Sequence, residues 1–126
     1  ALNYGYAIIR GAMARAVVGA GLMPCLGIHH ANKLNQFNLV DDLMEPFRPF
    51  VDYQVALMKL KDVTELTSEL KNQLIAVMTA NCLINKEEIC LLYSTEIEAA
   101  SVAKCFKNKS VADLRIPILK KLPLFE

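Results

Sequence analysis

The chain has 126 residues, the size of one domain, and at 54% hydrophobic and 21% charged it has material for a packed core, which excludes a disordered segment. A net charge of +1 excludes a strongly basic nucleic-acid-binding chain, so any contact with DNA must come from a local patch or from parts outside this sequence. The cysteines Cys25, Cys82, Cys90 and Cys105 stand far apart with no C-x-x-C pair; that argues against a structural zinc site and for free, buried thiols in a reducing cytosol.

From Leu2 to Ala20, Ile9, Met13, Ala16, Val17 and Ala20 recur at steps of three and four, the period of one buried helical face. Gly11, Ala12, Ala16 and Gly19 suit a tight helix–helix contact, which would offset the roughly 1 kcal/mol that each glycine loses against alanine in a helix. Arg10 and Arg15 interrupt the apolar run, so it reads neither as a signal peptide nor as a membrane span. Gly21 and Pro24 end this helix.

Cys25 to Asn38 shows no period and holds Asn32, Asn35, Asn38 and the adjacent His29 and His30, a loop of functional appearance. A second helix starts between Asn38 and Asp42 and runs to about Lys61. Pro46 and Pro49 permit either a kink or a short helix to Glu45 followed by a new one begun by proline. Thr64 or Thr67 can cap a third helix that reaches about Ala80. Residues 81–93 place two apolar runs around a polar turn, which fits a hairpin or a helix running straight through. Ser94 or Thr95 then begins a helix to about Lys107 with Ile97, Ala100, Ala103 and Phe106 on one face. The tail from Ser110 holds one more short helix, broken by Pro117 and Pro123. The expected fold is mainly α, one multi-helix domain over 1–126 with room for one short β-hairpin.

His30, Asp42 and Glu45 carry the candidate chemistry. Asp42 and Glu45 are three residues apart, on one side of a helical turn, while Asp41 points elsewhere. His30 lies in the loop that leads into that helix. Carboxylate oxygens suit Mg²⁺ or Mn²⁺, a neutral imidazole suits Mn²⁺ better, and such an ion can activate a nucleophile against a phosphodiester. Asp-x-x-Glu is equally a helix N-terminal capping signature, and a loop histidine is commonly just solvated. Spacing alone does not separate these readings.

Three pieces in order, Asn3-Tyr4-Gly5-Tyr6-Ala7, Leu26-Gly27-Ile28-His29-His30 and Asp42-Leu43-Met44-Glu45-Pro46-Phe47-Arg48-Pro49, resemble the CRISPR-associated integrase of the adaptation stage, in the form found in type II systems. The resemblance covers roughly the first 55 residues. It implies an α-helical C-terminal catalytic lobe behind an N-terminal β-rich lobe that mediates homodimerisation. It also implies a divalent Mg²⁺ or Mn²⁺ site built from an upstream Glu, the His of a G-x-x-H loop and an acid of a D-x-x-D/E helix. By that pattern His30 and Glu45 are metal ligands, Asp42 is an accessory carboxylate, and Arg48 either pairs with an acid or touches DNA phosphate. The implied activity is 3′-hydroxyl transesterification that inserts protospacer DNA into a CRISPR repeat. The implied partners are that DNA and a smaller CRISPR-associated adaptation protein, in a bacterial cytoplasm and without a membrane.

The chain opens without Met, and no acid precedes Asp41. It therefore reads as a fragment holding two of three ligands, inactive by itself although its parent is an enzyme. Lys104, Lys107, Lys109, Lys120 and Lys121 read as a solvated face, and Tyr4 and Tyr6 as packing against the helical core. Two other readings compete. One is a non-enzymatic helical dimerisation module in which Asp42 and Glu45 only cap. The other is a helix-turn-helix DNA reader, for which no clearly basic helix is available.

Overall fold

An 18-residue helix, α1 (Leu2–Gly19), packs against the four other α-helices of the described residues. The computed structural model describes residues 1–58, 65–84 and 86–118. Gly5, Ile9, Met13, Ala16 and Val17 make the buried face of α1, close to the face that the periodicity predicts. Just past the C-cap Ala20, Gly21 turns the chain away with a φ of 79°, open to a residue without a Cβ; the Gly21 N–H donates to Val18 O and the Leu22 N–H to Val17 O, both at 3.0 Å. The close approach along α1 is made elsewhere than expected. Gly11 and Gly19 lie off the buried face, with nothing within 4 Å of an added Cβ. At Gly5 an added Cβ would overlap the Val51 side chain, so Gly5 is where the backbone nears its neighbour.

The prolines divide the next stretch. Helix α2 (Asn38–Met44) passes into a 3₁₀ turn (Glu45–Phe47), and α3 (Arg48–Met58) follows. Pro46 is the second residue of the 3₁₀ turn and Pro49 the second residue of α3, positions where a missing N–H leaves no helical bond unmade. Of the two solutions open to the sequence, the break is the one adopted. The expected continuation to Lys61 lies outside the described residues. Phe47 and Phe50 turn inward, their ring centroids 6.3 Å apart, and join Ile9, Met13, Leu39 and Val51 in the core.

Helix α4 (Ser68–Ile75) is capped by Thr67, whose hydroxyl accepts the Leu70 N–H at 3.2 Å; Thr64 lies outside the described residues. A 3₁₀ turn (Ala76–Thr79) leads into the antiparallel strands β1 (Asn81–Ile84) and β2 (Glu87–Cys90), paired Asn81 to Cys90 and Ile84 to Glu87. The hairpin is therefore formed and the domain is mainly α with one short β-hairpin.

Helix α5 (Leu91–Asn108) starts at Leu91, earlier than the expected Ser94 or Thr95. Those two hydroxyls sit inside the first turns and donate to Leu91 O and Leu92 O, at 2.6 and 2.7 Å. A hydroxyl satisfied by its own helix can be buried, and this changes which face is inward. Ser94, Thr95, Glu98, Ala99, Ser101 and Val102 are buried, whereas Ala100 and Phe106 of the expected face are exposed and Ile97 and Ala103 half-buried.

The short helix expected after Ser110 is absent among the described residues. Ser101 Oγ accepts the Arg115 N–H, and Ile118 pairs with Leu83 through two backbone bonds of 2.7 and 3.0 Å. Residues 114–117 run irregularly to that sheet edge, and Pro117 suits such a segment. Pro123 lies outside the described residues. The four thiols are free; Cys82 is buried and Cys90 and Cys105 half-buried, but Cys25 is exposed, contrary to expectation. No helix of the described residues is long and apolar enough to cross a membrane.

Candidate functional site at the loop before the second helix

The loop between α1 and α2 is pinned by its asparagines. Asn38, buried at the start of α2, donates through Nδ2 to Cys25 O (3.1 Å) and Asn32 O (2.8 Å), and so ties both limbs of the loop to the helix. Asn32 and Asn35 each accept the N–H two residues on, from Leu34 and Phe37, in local turns at 2.9 Å. Asp41 turns away from His30 to Arg10 of α1, with bonds of 2.7 and 3.0 Å, and also accepts from Asn35 at 2.8 Å. Burial pushes the Asp41 carboxyl up, but the hydrogen bonds from Arg10 and Asn35 outweigh it and hold it below its ordinary value. The Arg10 guanidinium also lies over the Phe37 ring at 4.8 Å.

Asp42 organises the histidine turn. Its side chain is 8% exposed; Oδ2 accepts the N–H groups of Ile28 (2.5 Å) and His29 (2.9 Å), and Oδ1 accepts that of His30 (3.1 Å). The His30 ring closes the set, Nδ1 to Oδ1 at 2.5 Å. An ionised carboxylate only accepts, so this contact assigns the ring proton to Nδ1 and leaves Nε2 as the open nitrogen. Burial raises the Asp42 carboxyl, but the hydrogen bonds from His29, His30 and Ile28 more than reverse it, and the group lies below its ordinary value. The wrap is tight enough to require Gly27. A Cβ there would overlap His30 O and crowd Asn38 Cβ at 2.8 Å. The capping reading of Asp-x-x-Glu is not realised: the residue capping α2 is Phe37, with no side-chain cap, and Asp42 bonds to the loop instead.

Glu45, at the end of α2, lines a cleft of about 600 Å³ together with Ile28, His29, His30, Asp42 and Leu43. Its carboxylate is half exposed and accepts Arg48 Nε at 3.1 Å. Arg48 is thus ion-paired, with its guanidinium 4.7 Å from the Tyr6 ring centroid. The Tyr6 hydroxyl in turn donates to Asp52, and that hydrogen bond raises its pKa. His29 contributes its backbone N–H and an exposed ring set edge-on to His30. Among the described residues no three His, Cys, Asp or Glu side chains come close enough to hold a metal ion. His30 Nε2 and the Glu45 carboxylate line the cleft beside the exposed His29 ring, while the Asp42 carboxylate is taken up by the loop. Of the lysines, Lys104 pairs with Asp113 at 3.7 Å, and Lys120 and Lys121 lie outside the described residues.

Sequence reasoning missed Arg10, Asn35 and Asn38 as the residues that shape the loop. Three asparagines in a stretch without periodicity were the available signal. It also missed Glu98, an acid on the buried face of α5, whose Oε2 has no hydrogen-bond partner among the described residues.

Residues 1–90 match the family described as CRISPR associated protein Cas1. A CRISPR-associated endonuclease Cas1 of Neisseria meningitidis is 35% identical over 130 residues, which take in all of this chain and 41% of that protein. A protein of the same description from Saccharolobus solfataricus is 37% identical over 101 residues, 70% of this chain and 29% of its own length. Another, from Pyrobaculum aerophilum, is 48% identical over 59 residues, 47% of this chain and 20% of its own length. The chain therefore spans less than half the length of these curated relatives, and the family match extends past the 55 or so residues that carry the resemblance on sequence. The chain belongs to the Cas1 family of CRISPR-associated proteins.

Proposed function

We propose that this chain is the helical catalytic lobe of a metal-dependent DNA endonuclease and integrase, which joins protospacer DNA to a CRISPR repeat. The observation that carries the reading is the convergence of three consecutive N–H groups and His30 Nδ1 on Asp42, which sets His30 in the same cleft as Glu45. The endonuclease description of the relatives supports the nuclease part.

The donor set suits Mn²⁺ or Mg²⁺. His30 Nε2 and the Glu45 carboxylate would hold the ion, with a further donor that the described residues do not supply. When bound, such an ion polarises a phosphodiester and stabilises the charge that develops on it. In the transesterification, the 3′-hydroxyl of the incoming strand forms a new P–O bond as the old one breaks in line, and the displaced oxygen leaves as a hydroxyl. Asp42 keeps the His30 ring turned with Nε2 outward, a positioning task. Arg48 stands beside Glu45 and would meet phosphate oxygens once released from that pair. The longer protein would work as a homodimer, with a smaller CRISPR-associated adaptation protein, in the bacterial cytoplasm.

Replacement of His30 or Glu45 by alanine in the longer protein is expected to lower spacer integration at least about 100-fold while circular dichroism shows an unchanged fold. Integration at the original rate in either variant would end this reading. With no three metal-binding side chains brought together among the described residues, the chain by itself is expected to cut DNA poorly, and robust metal-dependent cleavage by the purified chain would overturn that.

A further inference from the structure

A second groove, of about 790 Å³, runs beside the first, from Leu43 and Pro46 across α5 to Leu114 and Ile116. It is mostly apolar, yet Glu98 lies on its lining. Glu98 is 2% exposed and its Oε2 meets no donor among the described residues. A buried carboxyl oxygen left without a partner is unfavourable, so a ligand that brings N–H donors removes a penalty already present. At the mouth, Phe106 and Ile116 remain 52% and 44% exposed, apolar surface that a ligand confined to the carboxyl would leave in water.

We infer that this groove takes an arginine side chain from a partner polypeptide, its guanidinium donating to Glu98 and its apolar neighbours covering Phe106, Leu114 and Ile116. The guanidinium is the cation most readily stripped of water; it carries five donors in one plane and stacks on aromatic faces such as Phe106. Its methylene stem matches the walls provided by Val102 and Leu114. Charge agrees once the arginine is seated: a guanidinium beside Glu98 favours the carboxylate over the protonated form that burial holds in the empty groove, and the one base among the described lining residues, Lys109, is exposed at the end of α5. The volume is well beyond that of one guanidinium, and the exposed apolar mouth calls for flanking residues on the same polypeptide. The inference does not rest on the integrase reading, since it uses none of His30, Glu45 or Arg48.

The test is a methyl-NMR titration of the chain with an acetylated, amidated Ala-Leu-Arg-Leu-Ala peptide. Saturable shifts are expected at Val102, Leu114 and Ile116. Glu98→Gln, or a peptide with citrulline in place of arginine, should weaken binding at least about tenfold, the effect of losing one charge-assisted bond. Benzamidinium alone should bind at least about tenfold more weakly than the peptide. Absent shifts, equal binding of the citrulline peptide, or benzamidinium binding as tight as the peptide would overturn the inference. Should Glu98→Gln fail to fold, Ile116→Asp at the exposed rim serves instead: it should weaken the peptide with an unchanged melting temperature, and unweakened binding would refute the proposal.

Discussion

Four hydrogen bonds converge on the Asp42 carboxylate, and an asparagine in its place tests what they hold. The amide keeps the size but has one accepting oxygen, and its NH₂ opposes the N–H groups that face it. Asp42→Asn is expected to lower stability by about 1–3 kcal/mol and integration by about 10–100-fold. Thermal unfolding and hydrogen exchange at the amides of residues 28–30 read the first effect. Protection of those amides at the original level would mean that the carboxylate does not anchor the turn. The sequence made His30, Asp42 and Glu45 legible as a set, chiefly through resemblance, since their spacing also fitted a cap. Asp42's partners were not legible: three donors come from backbone, and no side-chain pattern announces where backbone N–H groups will point.

At the scale of elements, glycines of similar appearance behave differently because their neighbours differ. Gly5→Ala drives a methyl into Val51 and is expected to destabilise by about 1–3 kcal/mol, with Val51→Ala restoring part of the loss. Gly11→Ala meets open space in a helix interior and is expected to stabilise by about 0.4–1 kcal/mol. Urea unfolding of the three variants checks both signs; equal effects at Gly5 and Gly11 would refute the packing argument. Helix α1 and the cap at Thr67 were legible, because apolar period and capping chemistry are local. The start of α5 was not. Ser94 looks like a cap by type, but the β2 strand ends at Cys90, and the helix starts directly behind it. The hairpin at 81–93 was one of two options, and its edge partner, Ile118, is far off in sequence.

For the whole molecule, Glu98 links folding to pH. Burial raises its pKa from 4.5 to about 9, so the folded chain keeps a proton that the unfolded chain releases. The stability tied to that proton is fully present below pH 4.5 and is lost as pH rises through about 9. Stability should therefore fall across that window, by at most about 1.4 kcal/mol per pH unit. Glu98→Gln should flatten the curve. Urea unfolding between about pH 6 and about pH 8 measures it, and parallel curves for the two proteins would contradict the burial of an ionisable carboxyl.

By itself the sequence determined a mainly helical domain, the long first helix with its glycine stop, and the loop feeding an acidic helix turn. These follow from apolar period, capping chemistry and a family resemblance, all of which act over a few residues or are carried by short motifs. Only the tertiary structure decided that Asp42 serves the loop and not the helix end, that Arg10 takes Asp41, and that Arg48 takes Glu45. It also decided which face of α5 is buried and where Glu98 is left without a donor. Those outcomes depend on which distant groups share one small volume. The loop of His30 keeps its candidate role because a carboxylate twelve residues away closes on its backbone.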